Sequence, residues 1–213
     1  MISEEEHFLH IMDFLMGLLE AHGDTPRHIR YVQGYTEILA EEYGRLHPRA
    51  GMTKQRLRWI VQAAGLHDIG KLAVPVNLSF PDICLSEAER NVIKEHTVRG
   101  SEMIPLLFDF MGKDFCRICR NICLYHHERY DGSGFPKGYK REHIPMEAQI
   151  VAVADMYDVL LHASHGRTAY TREKAYYMLM NGKCGTLSPV MQECLENAKE
   201  VLGAFHLSNE HFE

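Results

Sequence analysis

Histidine and carboxylate side chains gather in a few short segments of this 213-residue chain. In order they are His28 near a helix start, His67-Asp68-Ile69-Gly70-Lys71, Glu95-His96, and His126-His127-Glu128-Arg129-Tyr130-Asp131-Gly132-Ser133-Gly134-Phe135-Pro136. A further stretch, Val153-Ala154-Asp155-Met156-Tyr157-Asp158, sets carboxylates inside an apolar run. Together these groups exceed what one metal ion needs, and they point to hydrolysis at a multinuclear centre. Two cations would acidify a bridging water and stabilise the negative charge that develops as it attacks. Imidazole mixed with carboxylate suits Fe, Mn, Zn and Ni alike, so the residue types do not choose the metal.

Adjacent residues on a helix point about 100° apart. His67 and Asp68 can both reach a metal only if a helix end faces the site and a second ion shares the carboxylate. A lone His-Asp pair is an accident in most chains; its company here carries the reading. Lys71 is either a solvated lysine at a helix end, where the dipole favours it, or a point charge on a substrate phosphate. Beside such a centre the phosphate role is preferred. Gly132 and Gly134 permit positive φ and close backbone approach to a ligand, so their loop would form one wall of a ligand pocket. Asp131 would brace that loop or orient a ligand histidine, and Glu128 would act from behind the ligands. Asp158, one turn from Asp155, would bond a ligand or Lys71.

The elements that must position these groups read as helices. No segment alternates as a strand does. Helices are expected over His7–Glu20, from Pro26 to about Leu46 with Thr25 as cap, and from Thr53 through to His67. Ser86 and Glu89 form a capping box opening a helix through His96 to about Phe110. After a turn at Gly112-Lys113-Asp114, Phe115–His126 is another helix. Asp131 to Pro145 is a Gly- and Pro-rich loop, and Pro75 to Leu85, with two prolines and no clear period, is another loop. Glu147–Leu161 reads as a buried helix, followed by Thr171–Met180 and Ser188–Ala204. The expected fold class is all-α. A single domain spans 1–213, with an N-terminal helix at about 4–22, a metal-binding core at about 24–162 and C-terminal helices at about 171–206.

An apolar share of 46% and a charged share of 24% are ordinary for a globular chain. The net charge of −6 argues against a nucleic-acid polymer as partner but not against a small phosphorylated ligand. No apolar run is long enough for a membrane span. An acidic start, Ser3-Glu4-Glu5-Glu6, lacks the basic region of a signal peptide. With six cysteines and no secretory signal, reduced thiols in the cytoplasm are expected. Cys116, Cys119 and Cys123 fall on one helix face and read as core, not as a zinc site. Met12 and Met16 read as core or dimer face, and Trp59 as core. His7, His10, His22, His47, His143, His206 and His211 read as surface or cap residues.

From about Ala21 to Leu202 the pattern resembles the HD superfamily of metal-dependent phosphohydrolases. More narrowly it resembles the HD-GYP branch, whose members hydrolyse cyclic di-GMP. The most specific piece is His126 to Gly138, continued by His143-Ile144-Pro145 and the Asp155 stretch. Gly134-Phe135-Pro136 stands where the branch has Gly-Tyr-Pro. The resemblance implies an HD helical bundle with the HD-GYP extension and metal ligands His28, His67, Asp68, His96, His126, His127 and Asp155. Asp68 would bridge two divalent ions, Fe or Mn foremost, and with Lys71 would form the catalytic pair. Asp24 stands where some members place a glutamate on a third ion; it reads equally as a helix N-terminal carboxylate. Arg167 matches a basic position that grips a second phosphate. Ser164 stands where the branch has an arginine, and Ser79-Phe80-Pro81-Asp82-Ile83 where it has a Lys-Pro-Gly stretch. His162 and His165 are the nearby candidates to replace that arginine.

Three activities follow as expectations. The first is a cyclic di-GMP phosphodiesterase giving pGpG or GMP. The second is an HD-type phosphohydrolase acting on another nucleotide. The third is a catalytically weak module that binds cyclic di-GMP or a protein. No receiver, PAS or membrane module is evident, so regulation is expected from expression, a signalling partner or a homodimer.

Overall fold

The computed structural model describes residues 3–22, 25–75, 86–163 and 168–209. Nine named α-helices lie among them: α1 Glu4–Ala21, α2 Pro26–Leu46, α3 Lys54–Ala64, α4 Glu87–Lys94, α5 His96–Phe108, α6 Lys113–Tyr125, α7 Met146–Leu161, α8 Arg172–Met180 and α9 Pro189–Asn209. The fold is all-α. No strand occurs among the described residues, where Lys183 and Gly185 form an isolated bridge.

Local chemistry sets most helix starts. Thr25, Thr53 and Thr171 each accept a main-chain N–H with the side-chain oxygen. Ser86 and Glu89 form the expected capping box, and Ser3 with Glu6 forms another. Each such cap is worth about 1 kcal/mol. The Ser3 box starts α1 at Glu4, ahead of the expected His7, and α6 starts at Lys113, inside the expected turn.

Helix α7 is the centre. Thirteen of its 16 residues are buried, as a helix apolar nearly all round must be. Helix α2 packs against α3, α7 and α9, and α5 packs against α6. Helix α2 turns Ile29, Val32, Tyr35, Thr36, Leu39 and Ala40 inward. One apolar cluster runs from Phe8 on α1 to Leu202 on α9. Fully burying a Leu, Ile or Val side chain contributes about 1.5–3 kcal/mol. Cys116, Cys119 and Cys123 belong to this cluster, as expected, and Trp59 packs against its edge half-buried.

Two expected helices are interrupted, and both breaks serve the site. Helix α3 ends at Ala64, before His67, and a 3-10 turn over Ile69–Ala73 follows Asp68. The helix from Ser86 breaks at Glu95, so His96 opens a new helix, α5.

Candidate metal centre

Helix ends present three of the histidines. A helix terminus leaves its last carbonyls without an intrahelical partner. His67 Nδ1 lies 2.8 Å from the Ala64 carbonyl at the end of α3. His96 Nδ1 lies 2.7 Å from the Ile93 carbonyl at the end of α4. His126 Nδ1 lies 2.9 Å from the Ile122 carbonyl and 3.1 Å from that of Cys123, at the end of α6. Carbonyls only accept, so each Nδ1 carries a proton and each ring turns its Nε2 inward. His28, on the first turn of α2, obeys the same logic with a different partner: its Nδ1 donates to Asp158 Oδ2 on α7 at 2.7 Å.

These atoms form two sets, Asp68 with His96, His126 and His127, and His28 with His67 and Asp155. Within each, the candidate ligand atoms all lie within 4.8 Å of one another. Asp68 spans the join. Its Oδ1 faces His96 Nε2 at 3.1 Å and His126 Nε2 at 3.6 Å. Its Oδ2 faces His67 Nε2 at 3.2 Å and Lys71 Nζ at 2.6 Å. Asp155 Oδ1 lies 3.7 Å from His28 Nε2 and 4.0 Å from His67 Nε2. All seven ligands implied by the resemblance are thus brought together. Gly70 makes the join close enough: a methyl there would sit 1.9 Å from the His96 carbonyl oxygen and 2.5 Å from Gly100 N.

The protonation states suit a cation. Burial, with His126 and His96 adding to it, holds the His127 imidazole well below its usual pKa. Burial also lowers His126. Burial pushes Asp68 up, but the Lys71 ammonium and His67 outweigh it and leave the carboxyl well below its ordinary value. Asp68 is therefore ionised beside a neutral His126 ring. The buried His96 Nε2, His126 Nε2 and Asp68 Oδ1 have no hydrogen-bond partner among the described residues. Leaving each such group unsatisfied costs about 1–3 kcal/mol. Bare ring nitrogens aimed at an ionised oxygen repel it unless positive charge lies between. The donor set fits a divalent ion.

A family model described as HD domain matches residues 25–183, three-quarters of the chain. The chain belongs to the HD domain family. Among curated relatives, this HD domain is 39% identical over 153 residues to the cyclic di-GMP phosphodiesterase response regulator RpfG of Xanthomonas campestris, matching 70% of the chain and 39% of that protein. It is 29% identical over 172 residues to the 3'3'-cGAMP-specific phosphodiesterase 2 of Vibrio cholerae, matching 81% of the chain and 31% of that protein. The chain thus spans well under half the length of either relative. Among solved structures, an HDG"Y"P protein from Bdellovibrio bacteriovorus superposes with a TM-score of 0.57 at 19% identity, covering 92% of this chain and 62% of that one. This likeness shows the shared fold.

Around the HD domain's two candidate ligand sets, other side chains have supporting tasks. Asp158 bonds His28 and His162, not Lys71. Burial raises its pKa, but bonds from His162 and His28 outweigh that and lower it. His28 shows the complement: burial opposes its charge, yet Asp158 and Asp155 raise its pKa overall. Buried Glu128 accepts the Lys137 and Tyr139 main-chain N–H groups at 2.7 and 3.0 Å, tying down the loop behind His127. Asp131 braces the same loop, accepting from Ser133 N and Thr186 Oγ1, both at 2.8 Å. Gly132 has φ +83°, as expected. Gly134 is needed for a different reason from the one expected: a methyl there would meet the chain's own backbone, 2.3 Å from the His127 carbonyl oxygen.

Sequence reasoning missed Arg129. Its guanidinium donates to the carbonyls of His126, Glu128 and Cys184, clamping the ligand turn to a distant loop. Nothing in its neighbours' types signals this, because the acceptors are main chain. His206 is also corrected: it is buried, with its Nδ1 2.8 Å from the Tyr35 hydroxyl, not a surface or cap residue. His162 Nδ1 is engaged with Asp158. Asp24, the 76–85 part of the loop after Pro75, Ser164, His165, Arg167 and His211 lie outside the described residues.

Proposed function

We propose that this chain is a metal-dependent phosphodiesterase that opens cyclic di-GMP to pGpG or GMP. The observation that carries the reading is the meeting of ionised Asp68 Oδ1 with the inward-turned Nε2 atoms of His96 and His126, none of them satisfied by a hydrogen bond, a donor set that a cation would hold together. His28, His67 and Asp155 would hold one ion, His96, His126 and His127 another, with Asp68 between them. Fe and Mn are the favoured metals for this mixed imidazole–carboxylate shell, and Asp24 would join a third ion if one binds. Bound there, the ions would supply a hydroxide at neutral pH and charge neutralisation for the phosphodiester. Asp68 and Lys71 are the catalytic pair: Asp68 holds the ions in register, and Lys71 shares its charge between Asp68 Oδ2 and a substrate phosphate oxygen. Arg167 grips the second phosphate. The loop at Gly132 and Gly134 walls the nucleotide pocket.

The relatives' names support a cyclic dinucleotide as the substrate class. A 3'3'-cGAMP-type substrate is the second reading, favoured by Ser164 where the branch has an arginine. The chain is read as a single domain working in the cytoplasm, where buried thiols such as Cys119 and Cys123 stay reduced. No helix among the described residues is long and apolar enough to cross a membrane. A homodimer or a signalling protein would supply regulation. The test is a product assay with Mn or anaerobic Fe against cyclic di-GMP, 3'3'-cGAMP and mononucleotides. Cleavage of cyclic di-GMP that chelation abolishes is expected. Selective cleavage of 3'3'-cGAMP moves the assignment to the second reading. A metal-loaded protein that binds without cleaving any of them overturns both and leaves a receptor.

A further inference from the structure

Asp158 is gripped from two sides. Its Oδ2 takes the proton of His28 Nδ1 at 2.7 Å. Its Oδ1 lies 2.9 Å from Nδ1 of His162, the residue just past the end of α7. The same Nδ1 lies 3.0 Å from the Asp158 main-chain carbonyl. Both oxygens only accept, so His162 Nδ1 carries a proton, which is bonded to the main-chain carbonyl and lies in close contact with Oδ1. The His162 ring is held in place between Tyr31, 4.9 Å away, and His206, 5.5 Å away. Among the described residues no aligned hydrogen bond reaches Asp158 Oδ1, which is buried. The close His162 contact is therefore what stabilises that oxygen.

A buried carboxylate oxygen stripped of its partner costs about 1–3 kcal/mol or more. Asp158 would relieve that cost by rotating, which would pull Oδ2 off His28. We propose that His162 is a positioning residue for the His28 half of the metal centre: by gripping Asp158 it aims His28 Nε2 at the Asp155–His67 set. The inference rests on the metal reading of that set and adds a residue that neither touches the ion nor matches any motif read from the sequence.

The test separates the proton donor from ring packing. Asn at position 162 places an amide N–H where Nδ1 stands, whereas Phe keeps a ring between Tyr31 and His206 without a donor. Purified full-length parent, His162→Asn, His162→Phe and His28→Ala are titrated with Co(II), following the visible absorption bands and bound metal per chain. Melting temperatures confirm that each variant is folded. The parent is expected to bind two equivalents, and His28→Ala identifies the equivalent belonging to its set. His162→Phe should weaken that equivalent by about tenfold or more, as loss of a group behind a ligand does, while leaving the other unchanged. His162→Asn should restore it. Parent-like binding by the Phe variant, or equal loss in both variants, overturns the positioning role while leaving the two-ion centre standing. A parent that binds no metal at the His28 set overturns the centre itself, and the inference with it.

Discussion

His96 and His126 differ from His28 in what aims them. The first two, like His67, donate Nδ1–H to main-chain carbonyls left over at helix ends. His28 donates to a side chain, Asp158, that is itself held by His162. A carbonyl cannot be removed by substitution and does not titrate. A carboxylate can be mutated, and its charge raises the basicity of the ring it holds. One half of the centre is therefore set by where helices stop, and the other by a side-chain relay that is open to tuning.

Removing Asp68 should erase the comparison, because that carboxylate faces both halves. Asp68→Ala is expected to lower hydrolysis by at least the 10²–10³-fold, roughly, that attends loss of a charge-stabilising group. Metal analysis should show both ions depleted; retention of both would end the bridging role. Gly70→Ala attacks the backbone-defined half. A methyl placed 1.9 Å from the His96 carbonyl must push the Asp68 turn away from α5, and such overpacking costs about 1–3 kcal/mol. A lower melting temperature with weakened metal binding at the His96 set is expected; unchanged values would show that the turn tolerates the shift.

Asp158→Ala sharpens the contrast. Only the His28 equivalent should weaken, by about 10–100-fold, with the His96 set intact. In the metal-free protein the His28 ring should also titrate at lower pH, since Asp158 and Asp155 are what raise it against the effect of burial. Nuclear magnetic resonance titration of the imidazole reads this directly, and an unmoved His28 would refute the relay. The smallest effect concerns the loop behind His127. Bonds from Ser133 and Thr186 lower Asp131 from 3.8 to about 2. A carboxyl lowered on folding stabilises above its unfolded pKa and loses that contribution as pH falls through the folded one. The melting-temperature advantage of the parent over Asp131→Ala should therefore be full above about pH 4 and fade toward pH 2. A constant difference across that range would assign the loop brace to shape alone.

Much of the site was legible in residue types. The His-Asp pair, the double histidine and Asp155 all point at metal hydrolysis, and the capping residues Thr25, Thr53 and Ser86 located three helices. The helix interruptions were only half legible. Gly65 stands at the C-cap of α3, a local stop that the continued apolar periodicity masks, whereas nothing in Lys94-Glu95-His96 breaks the helical pattern. Gly70 is spelled like any glycine; its need appears only when the His96 carbonyl arrives beside it. Arg129 and Glu128 were illegible or half-legible because their partners are main-chain groups, which every residue carries.

By itself, the sequence determined the helical class and the chemical kind of the site, since these depend on side-chain type and local periodicity. Tertiary structure alone decided that His28 turns Nδ1 to Asp158, which Asp68 oxygen faces which half, and that His162 stands behind Asp158. The partners of His28 and His206 lie 130 and 171 positions away along the chain, and no local pattern encodes a distance that only folding closes.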